Sequence, residues 1–345
     1  PMGNVEEILV KLQGDKYFSK FDLTKGYFQI ALSEGSKHLT AFKTPSGSYQ
    51  FTRMPFGLVN SAATFNRMMR LMLQQPQNTD HYVDDVLAHT HTWPQHLAEL
   101  RQLFQKFKSA QITVKPSKCK IGYREVPFVG HVVGGGKVRM EEDKVKKVRE
   151  AERPKTKKQT RSFLGLTGYY RDYIEDYSKI AAPLTDLTKK GNPDKVNWGE
   201  KEEDAFQLLK QKLISGPILR MPKIDESYIL RTDASDIGVG AVLLQEFQDG
   251  LFPIAYASKK LLPREQNYSV IERECLGIVF GVNKFQRYLY GKMFTLQTDH
   301  APLGWLMRSK LQNARCMRWA LYLQAYRFNI EVIKGKENVG SDYLS

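Results

Sequence analysis

The sequence predicts an α+β layer domain, a helical and basic middle, and a second αβ domain. Three observations carry that reading. Short β-like runs alternate with amphipathic helical stretches up to about residue 135; from Lys137 to Gly191 the chain turns helical and basic; from Ser227 strands and a long helix resume. A length of 345 residues is too great for one ordinary core and calls for two or three domains. The composition shifts place the boundaries at 1–135, 136–192, 193–225 and 226–345.

In the first domain "YFSKFDL" and "YQFTRMPFG" read as strands ending in turns, and "SAATFNRMMRLMLQQ" as a helix capped by Ser61. "HLAELRQLFQKFKSA" is a second helix, with Leu97, Leu100, Phe104 and Phe107 at helical spacing. The middle stretch carries the breaker Pro154 and ends in the polar boundary "KKGNPDKVNW". "EKEEDAFQLLKQKLI" forms a connecting helix. In the last domain "SYILRTDAS", "GVGAVLLQ", "FPIAYASKKL" and "FTLQTDH" read as strands, with a helix from Tyr268 to Tyr290 and a short one closing the C-terminus.

Hydrophobic residues at 41% and charged residues at 26% describe a folded chain. Lys+Arg outnumber Asp+Glu by 52 to 37, a net charge of +15 that predicts an anionic partner, nucleic acid ahead of membrane. Apolar runs such as "CLGIVFGV" are too short to span a bilayer, and no charged segment followed by an apolar one opens the chain. Cys119, Cys275 and Cys316 lack CxxC spacing and read as packed thiols of a reducing compartment.

Two acid constellations stand out. In "HYVDDVLAHT" two aspartates, Asp84 and Asp85, sit where a hairpin should turn. Their repulsion and desolvation call for a lysine or arginine partner, an exposed turn, or a divalent cation. Asp22 ends another predicted strand. If the two strands are neighbours, the three carboxylates converge, the ligand type Mg²⁺ requires. Two such ions about 4 Å apart serve in-line phosphoryl transfer. Gly57, in "MPFGLVNSAATF", is a position where backbone could approach a ligand closely. The second constellation holds Asp233, Glu272, Glu274, Asp299 and Asp342. Asp233 and Asp299 each end a strand. Helical phase mildly prefers Glu274 over Glu272 for the packed face. An aspartic-protease reading fails, because Ala-Ser follows Asp233.

"FSKFDLTKGYFQI", "TAFKTPSGSYQFTRMPFGLVNSAATFNRMM", "YVDDVL", "KPSKCKI" and "PFVGHVV" resemble, in order, the palm motifs of reverse transcriptases. "RSFLGLTGYYRDYI" and "IAAPLTDLTKKG" resemble the gypsy class of LTR retrotransposons. "TDASDIGVGAVLLQ", "AYASKKLLPREQNYSVIERECLGIV" and "YLYGKMFTLQTDHAPL" resemble that class's ribonuclease H. The resemblance implies an α+β reverse-transcriptase palm with partial fingers over 1–135, a helical thumb over 136–192, a connection over 193–225 and an α/β ribonuclease H-like domain, a mixed sheet flanked by helices, over 226–345.

It further implies that Asp22, Asp84 and Asp85 are the polymerase carboxylates, with Asp22 and Asp85 as direct ligands and the Leu23 carbonyl beside them. Tyr27 would be the steric gate that excludes a ribose 2′-OH. Phe56 and Gly57 would line the nucleotide pocket, and "FVGHVV" would grip the primer. Asp233, Glu274, Asp299 and Asp342 would cut RNA in RNA–DNA hybrids, with Asn338 supporting the last helix. Each site would hold two Mg²⁺, with Mn²⁺ as a substitute. The implied partners are an RNA or DNA template, a primer, RNA–DNA hybrid and dNTPs, with no membrane. The implied location is a cytoplasmic virus-like particle, followed by nuclear entry. With the chain starting at Pro1, most of the fingers are expected to be missing, which makes a non-catalytic or ribonuclease H-only remnant the rival expectation; the lack of a protease or integrase motif predicts a segment of a longer polyprotein. The histidine many ribonucleases H carry before Asn338 is also missing, which leaves proton handling to Lys334 or water.

Overall fold

The computed structural model describes residues 5–74, 77–216, 218–223, 225–298 and 314–333. The chain divides into two compact units, Pro1–Val138 and Arg139–Ser345.

The first unit opens with α1 (Val5–Lys11), β1 (Tyr17–Asp22), the single turn α2 (Glu34–Lys37), and the short hairpin β2 (Phe42–Thr44) and β3 (Gly47–Tyr49). It continues through α3 (Ser61–Met72), β4 (Thr79–Tyr82), β5 (Asp85–Thr90), α4 (Trp93–Ser109) and β6 (Lys120–Tyr123). The hairpin β7 (Glu125–Phe128) and β8 (His131–Gly134) follows, and β9 (Lys137–Met140) contains the division.

Four of these strands form one sheet in the order β4-β5-β1-β6. Strand alternation sends Phe21, Val86 and Ala88 into a core with Phe65, Met69, Leu100, Leu103 and Phe107 of α3 and α4. Two expectations shift here. Residues after Tyr49 leave the strand conformation apart from an isolated antiparallel bridge of Arg53 to Ala31. On α4 the buried face is Leu100, Leu103 and Phe107, whereas Leu97 and Phe104 are 38% and 43% exposed. Leu100 and Phe107 are buried as their spacing expected, while Leu103 takes the core place that spacing gave to Leu97 and Phe104. Nor does Ser61 cap α3. Asn60 holds the cap position, and the Ser61 hydroxyl donates to the Pro55 carbonyl at 3.1 Å.

The second unit begins helically: α5 (Glu142–Arg149), α6 (Lys157–Tyr169), α7 (Tyr177–Ile180), α8 (Ala182–Leu187) and α9 (Glu200–Ile214). The break between α5 and α6 holds Pro154, and Thr156 and Gln159 then cap α6 reciprocally at 3.2 Å each. Phe163 of α6 meets Phe206 of α9 with ring centroids 4.6 Å apart, the centre of this helical cluster.

Next come β10 (Leu219–Arg220), β11 (Tyr228–Ala234), β12 (Gly238–Phe247), β13 (Gly250–Lys260), the turn α10 (Pro263–Gln266) and α11 (Val270–Lys284). The described part ends with α12 (Gln286–Leu289), β14 (Met293–Thr298), α13 (Ala314–Leu323) and β15 (Arg327–Val332). The sheet order is β13-β12-β11-β14-β15, mixed as expected: β11 runs parallel to β14 and β14 to β15, and the other pairs are antiparallel. The single helix expected from Tyr268 to Tyr290 stops at Lys284, where Phe285 leaves helical geometry, and α12 follows as a separate turn. The closing C-terminal helix lies outside the described residues.

Candidate active sites

In the first unit, chain register does most of the assembly. β1 and β5 are antiparallel neighbours, and Asp22 faces Asp85 directly across the ladder. The turn between β4 and β5 holds Val83 and Asp84. Val83 has φ 55°, a left-handed conformation rare for a β-branched residue. The Asp84 carbonyl fastens this turn to β1 by accepting from the Leu23 N–H at 3.2 Å. Gly26 lies under it; a Cβ there would stand 3.5 Å from the Asp84 Cβ. The three aspartates and Leu23 are therefore neighbours, as the strand reading expected.

Their charge is offset by two lysines that sequence reasoning missed. Lys20 Nζ lies 3.1 Å from Asp85 Oδ1, and Lys118 Nζ lies 3.2 Å from Asp22 Oδ2. Lys20 was legible in principle, since strand alternation puts it on the Asp22 face. Lys118 comes from far along the chain and gave no local signal. Burial, reinforced by the charges of Asp84 and Asp22, pushes the Asp85 carboxyl above its ordinary range despite Lys20. Among the described residues no group of three His, Cys, Asp or Glu stands close enough to hold a metal ion in this arrangement. The donor set is nonetheless hard oxygen, and two of its members are direct cross-strand neighbours, the chemistry and proximity Mg²⁺ needs.

Beside the acids, the Tyr27 ring packs against Phe56 and Phe65 at centroid distances of 5.1 and 5.3 Å. Phe56 is 63% exposed, and Gly57 follows at φ +90° with open space where a Cβ would point. Such a backbone suits glycine alone. The turn of "FVGHVV" places Val129 and Gly130 at positive φ, and burial pushes the His131 imidazole down to about 4.

In the second unit, Asp233 lies on β11 and Glu274 on α11. The helix packs on β11 and β12 through two glycines. A Cβ at Gly277 would lie 3.6 Å from the Asp233 carbonyl, and one at Gly281 would crowd Ala241, Thr232 and Leu230 at 3.1 to 3.3 Å. Glu274, one turn before Gly277, is buried. Glu272 has another job: its carboxylate accepts from the Ser269 N–H at 3.0 Å and from Arg315 at 2.6 Å. Partial burial works against ionisation, but those bonds hold its carboxyl below the usual range. The helical-phase preference for Glu274 thus meets a Glu272 already committed to capping.

Asp233 faces Gly240 across the β11–β12 ladder. A Cβ at Gly240 would come within 2.6 Å of Asp176 Oδ1, so the glycine makes room for that acid. Glu175 is held high mainly by burial, with Asp176 and Asp233 adding to it, so these acids share one neighbourhood. Neither Glu175 nor Asp176 carried a sequence signal. Asp299, Asp342, Asn338 and Lys334 lie outside the described residues.

A family model described as "Reverse transcriptase (RNA-dependent DNA polymerase)" matches residues 1–167, and "RNase H-like domain found in reverse transcriptase" matches residues 223–326. The chain is 40% identical over its full length to the Retrovirus-related Pol polyprotein from transposon 297 of Drosophila melanogaster, covering 32% of that protein. It is 32% identical, again over its full length, to the Transposon Tf2-3 polyprotein of Schizosaccharomyces pombe, covering 26% of it. The chain thus spans about a third or less of these two relatives.

Among solved structures, a foamy viral protease–reverse transcriptase in complex with double-stranded DNA shares the fold with a TM-score of 0.85 at 23% identity, over 97% of this chain and 71% of that one. The same viral protein in complex with RNA/DNA hybrid gives 0.82 at 22% identity, over 97% and 46%. The fold is that of a reverse transcriptase domain followed by a ribonuclease H-like domain. The chain belongs to the reverse transcriptase–ribonuclease H family of LTR-retrotransposon Pol polyproteins.

Proposed function

We propose that this chain is an RNA-directed DNA polymerase with ribonuclease H activity. The observation that carries the reading is the direct pairing of Asp22 with Asp85, with Asp84 in the adjoining turn. Within that reading the palm spans residues 1–135, the thumb 136–192, the connection 193–225 and the ribonuclease H domain 226–345.

Asp22 and Asp85, supported by Asp84 and the Leu23 carbonyl, are the residues that would hold Mg²⁺ or Mn²⁺ in the first site; Asp233, Glu274, Asp299 and Asp342 are those of the second. The ions would supply charge on the transferring phosphate and a lowered pKa for the attacking hydroxyl or water. The protein's own side chains do the rest. Asp84's turn, pinned to β1, fixes where a primer 3′-hydroxyl can approach. Tyr27, wedged between Phe56 and Phe65, occupies the space of a ribose 2′-OH and so selects dNTPs. Gly57 lets a template-paired nucleotide lie against bare backbone. In the second site Glu274, buried beneath β11, and Asp233, on the strand, approach the RNA strand of a hybrid from two elements; the wide minor groove and 2′-OH groups mark that strand.

The exposed lysines and arginines of α5 and α6 suit duplex phosphates, in keeping with the +15 charge. No helix among the described residues is long and apolar enough to cross a membrane. Work in a cytoplasmic virus-like particle, followed by nuclear entry, fits the family.

The rival reading, a nucleic-acid-binding remnant or a ribonuclease H alone, draws on the two lysine pairs that occupy Asp22 and Asp85. Primer extension and hybrid cleavage with Mg²⁺, repeated on Asp85→Asn and Asp299→Asn, separate them. Extension lost only in the first variant and cleavage lost only in the second supports both activities. Cleavage without extension in the parent chain leaves ribonuclease H alone, and salt-sensitive binding without either activity leaves the remnant.

A further inference from the structure

Two adjoining depressions of the second unit belong to neither acid site. One, about 330 Å³, is lined by Arg171, Lys259, Lys260 and Lys284 with Ser178 and Phe280. The other, about 360 Å³, is lined by Leu276, Val279, Phe280 and Trp319, and by Asn283 hydrogen-bonded to Tyr322 at 3.2 Å. Lys259 and Phe280 are common to both walls. Glu274 contributes to neither.

The cations are held in place by the protein. Arg171 donates through one terminal nitrogen to Ser178 Oγ at 3.2 Å and to the Ser258 carbonyl. Lys259 pairs with Glu265 at 2.7 Å and Lys260 with Asp186 at 2.8 Å, yet the two lysine side chains stay 36% and 32% exposed. An ammonium has three N–H groups and a guanidinium five, so these bonds leave donors for a ligand. The acids nearby are Glu265, Asp186 and Asp172, the last within electrostatic reach of Arg171 and Lys284. Lys189, 3.0 Å from Asp186, adds a fifth cation, so the rim stays positive.

We propose that the two depressions form one site for single-stranded nucleic acid, with phosphates over the four cations and an unpaired base against Phe280 and Trp319. A lone phosphate would have no use for the aromatic wall, and an apolar partner none for the cations. Duplexes hide their base faces; a single strand offers both groups together. The proposal rests on the hybrid-cleaving reading only for the source of the strand, namely RNA or DNA left unpaired beside a hybrid.

The test uses the full chain and a single-stranded oligonucleotide carrying 4-thiouridine, with cross-links mapped by mass spectrometry. Cross-links to peptides holding Phe280, Trp319 or Tyr322 are expected. Trp319→Leu should lower their yield several-fold. Lys284→Gln should weaken single-strand binding and flatten its salt dependence by about 0.7 in log–log slope. Lys284→Gln also keeps the test intact if Trp319→Leu fails to fold. Cross-links confined to residues of the first unit, an unchanged salt slope, or tighter binding of an acidic aromatic peptide would each overturn the site. Asp85→Asn and Glu274→Gln should keep the cross-links, so failure of catalysis and failure of this site read out separately.

Discussion

The two acid sites are built by opposite means. In the first unit the acids come from two neighbouring strands, and the ladder that pairs Asp22 with Asp85 makes their proximity unavoidable once register is set. In the second unit Asp233 and Glu274 come from a strand and a helix, and Gly277 and Gly281 let α11 settle onto the sheet that carries Asp233. The first arrangement is specified by hydrogen bonds between backbones, the second by close packing. The difference also appears in how charge is managed. Lysines stand against Asp22 and Asp85, whereas further acids, Glu175 and Asp176, stand near Asp233.

The sharpest way to break this comparison is Glu274→Gln. Hybrid cleavage should fall on the order of a thousandfold, because the carboxylate proposed to hold a metal ion is lost without changing side-chain volume. Primer extension should persist. Retained cleavage would remove Glu274 from the site.

Tyr27→Val should act on the other site alone. Discrimination against ribonucleotides should drop by about a hundredfold, the scale on which a pocket rejects an added hydroxyl. Incorporation assays with matched dNTP and rNTP pairs measure it, and an unchanged ratio would mean that the ring is only packing against Phe56 and Phe65.

Glu272→Ala should separate capping from catalysis. Removing the cap and the Arg315 partner should cost about 1–2 kcal/mol by denaturant titration. Hybrid cleavage per folded molecule should be unaffected; a loss as large as that of Glu274→Gln would merge the two roles.

The smallest effect concerns pH. On the face shared with Asp85, His89 is clamped between Asp15 at 2.5 Å and Asp80 at 3.2 Å. Burial opposes its protonation, but the bonds and charges of the two acids outweigh it and raise the imidazole above its ordinary 6.5. Its contribution is therefore complete below pH 6.5 and is lost as pH rises through the higher folded value. Melting of the chain should shift down by a few degrees across that alkaline step, and His89→Gln should flatten the step. Identical slopes for parent and variant would remove the clamp from the stability of the first unit.

Much of this was readable before folding. "YVDDVL" announced a hairpin with acids at its tip, of which Asp84 lies in the turn and Asp85 opens β5, and "FSKFDL" a strand ending in a third, because alternation and turn chemistry are local properties of the chain. The polar break at Pro154 and the strand-rich last domain were equally plain. Where helical phase had to choose among several apolar residues, as on α4, spacing favoured Leu97 and Phe104, and packing chose Leu103 instead.

Acid identities, their order along the chain and the excess of cations belong to the sequence by itself, since residue type and local periodicity need no third dimension. Which lysine faces which acid, and which partner engages Glu272, was decided by the tertiary structure. Lys118 reaches Asp22 across 96 positions of chain, and Glu272 is drawn outward by an arginine 43 positions away. Such partners are chosen by the burial of faces and the closing of loops, neither of which leaves a mark on neighbouring residues.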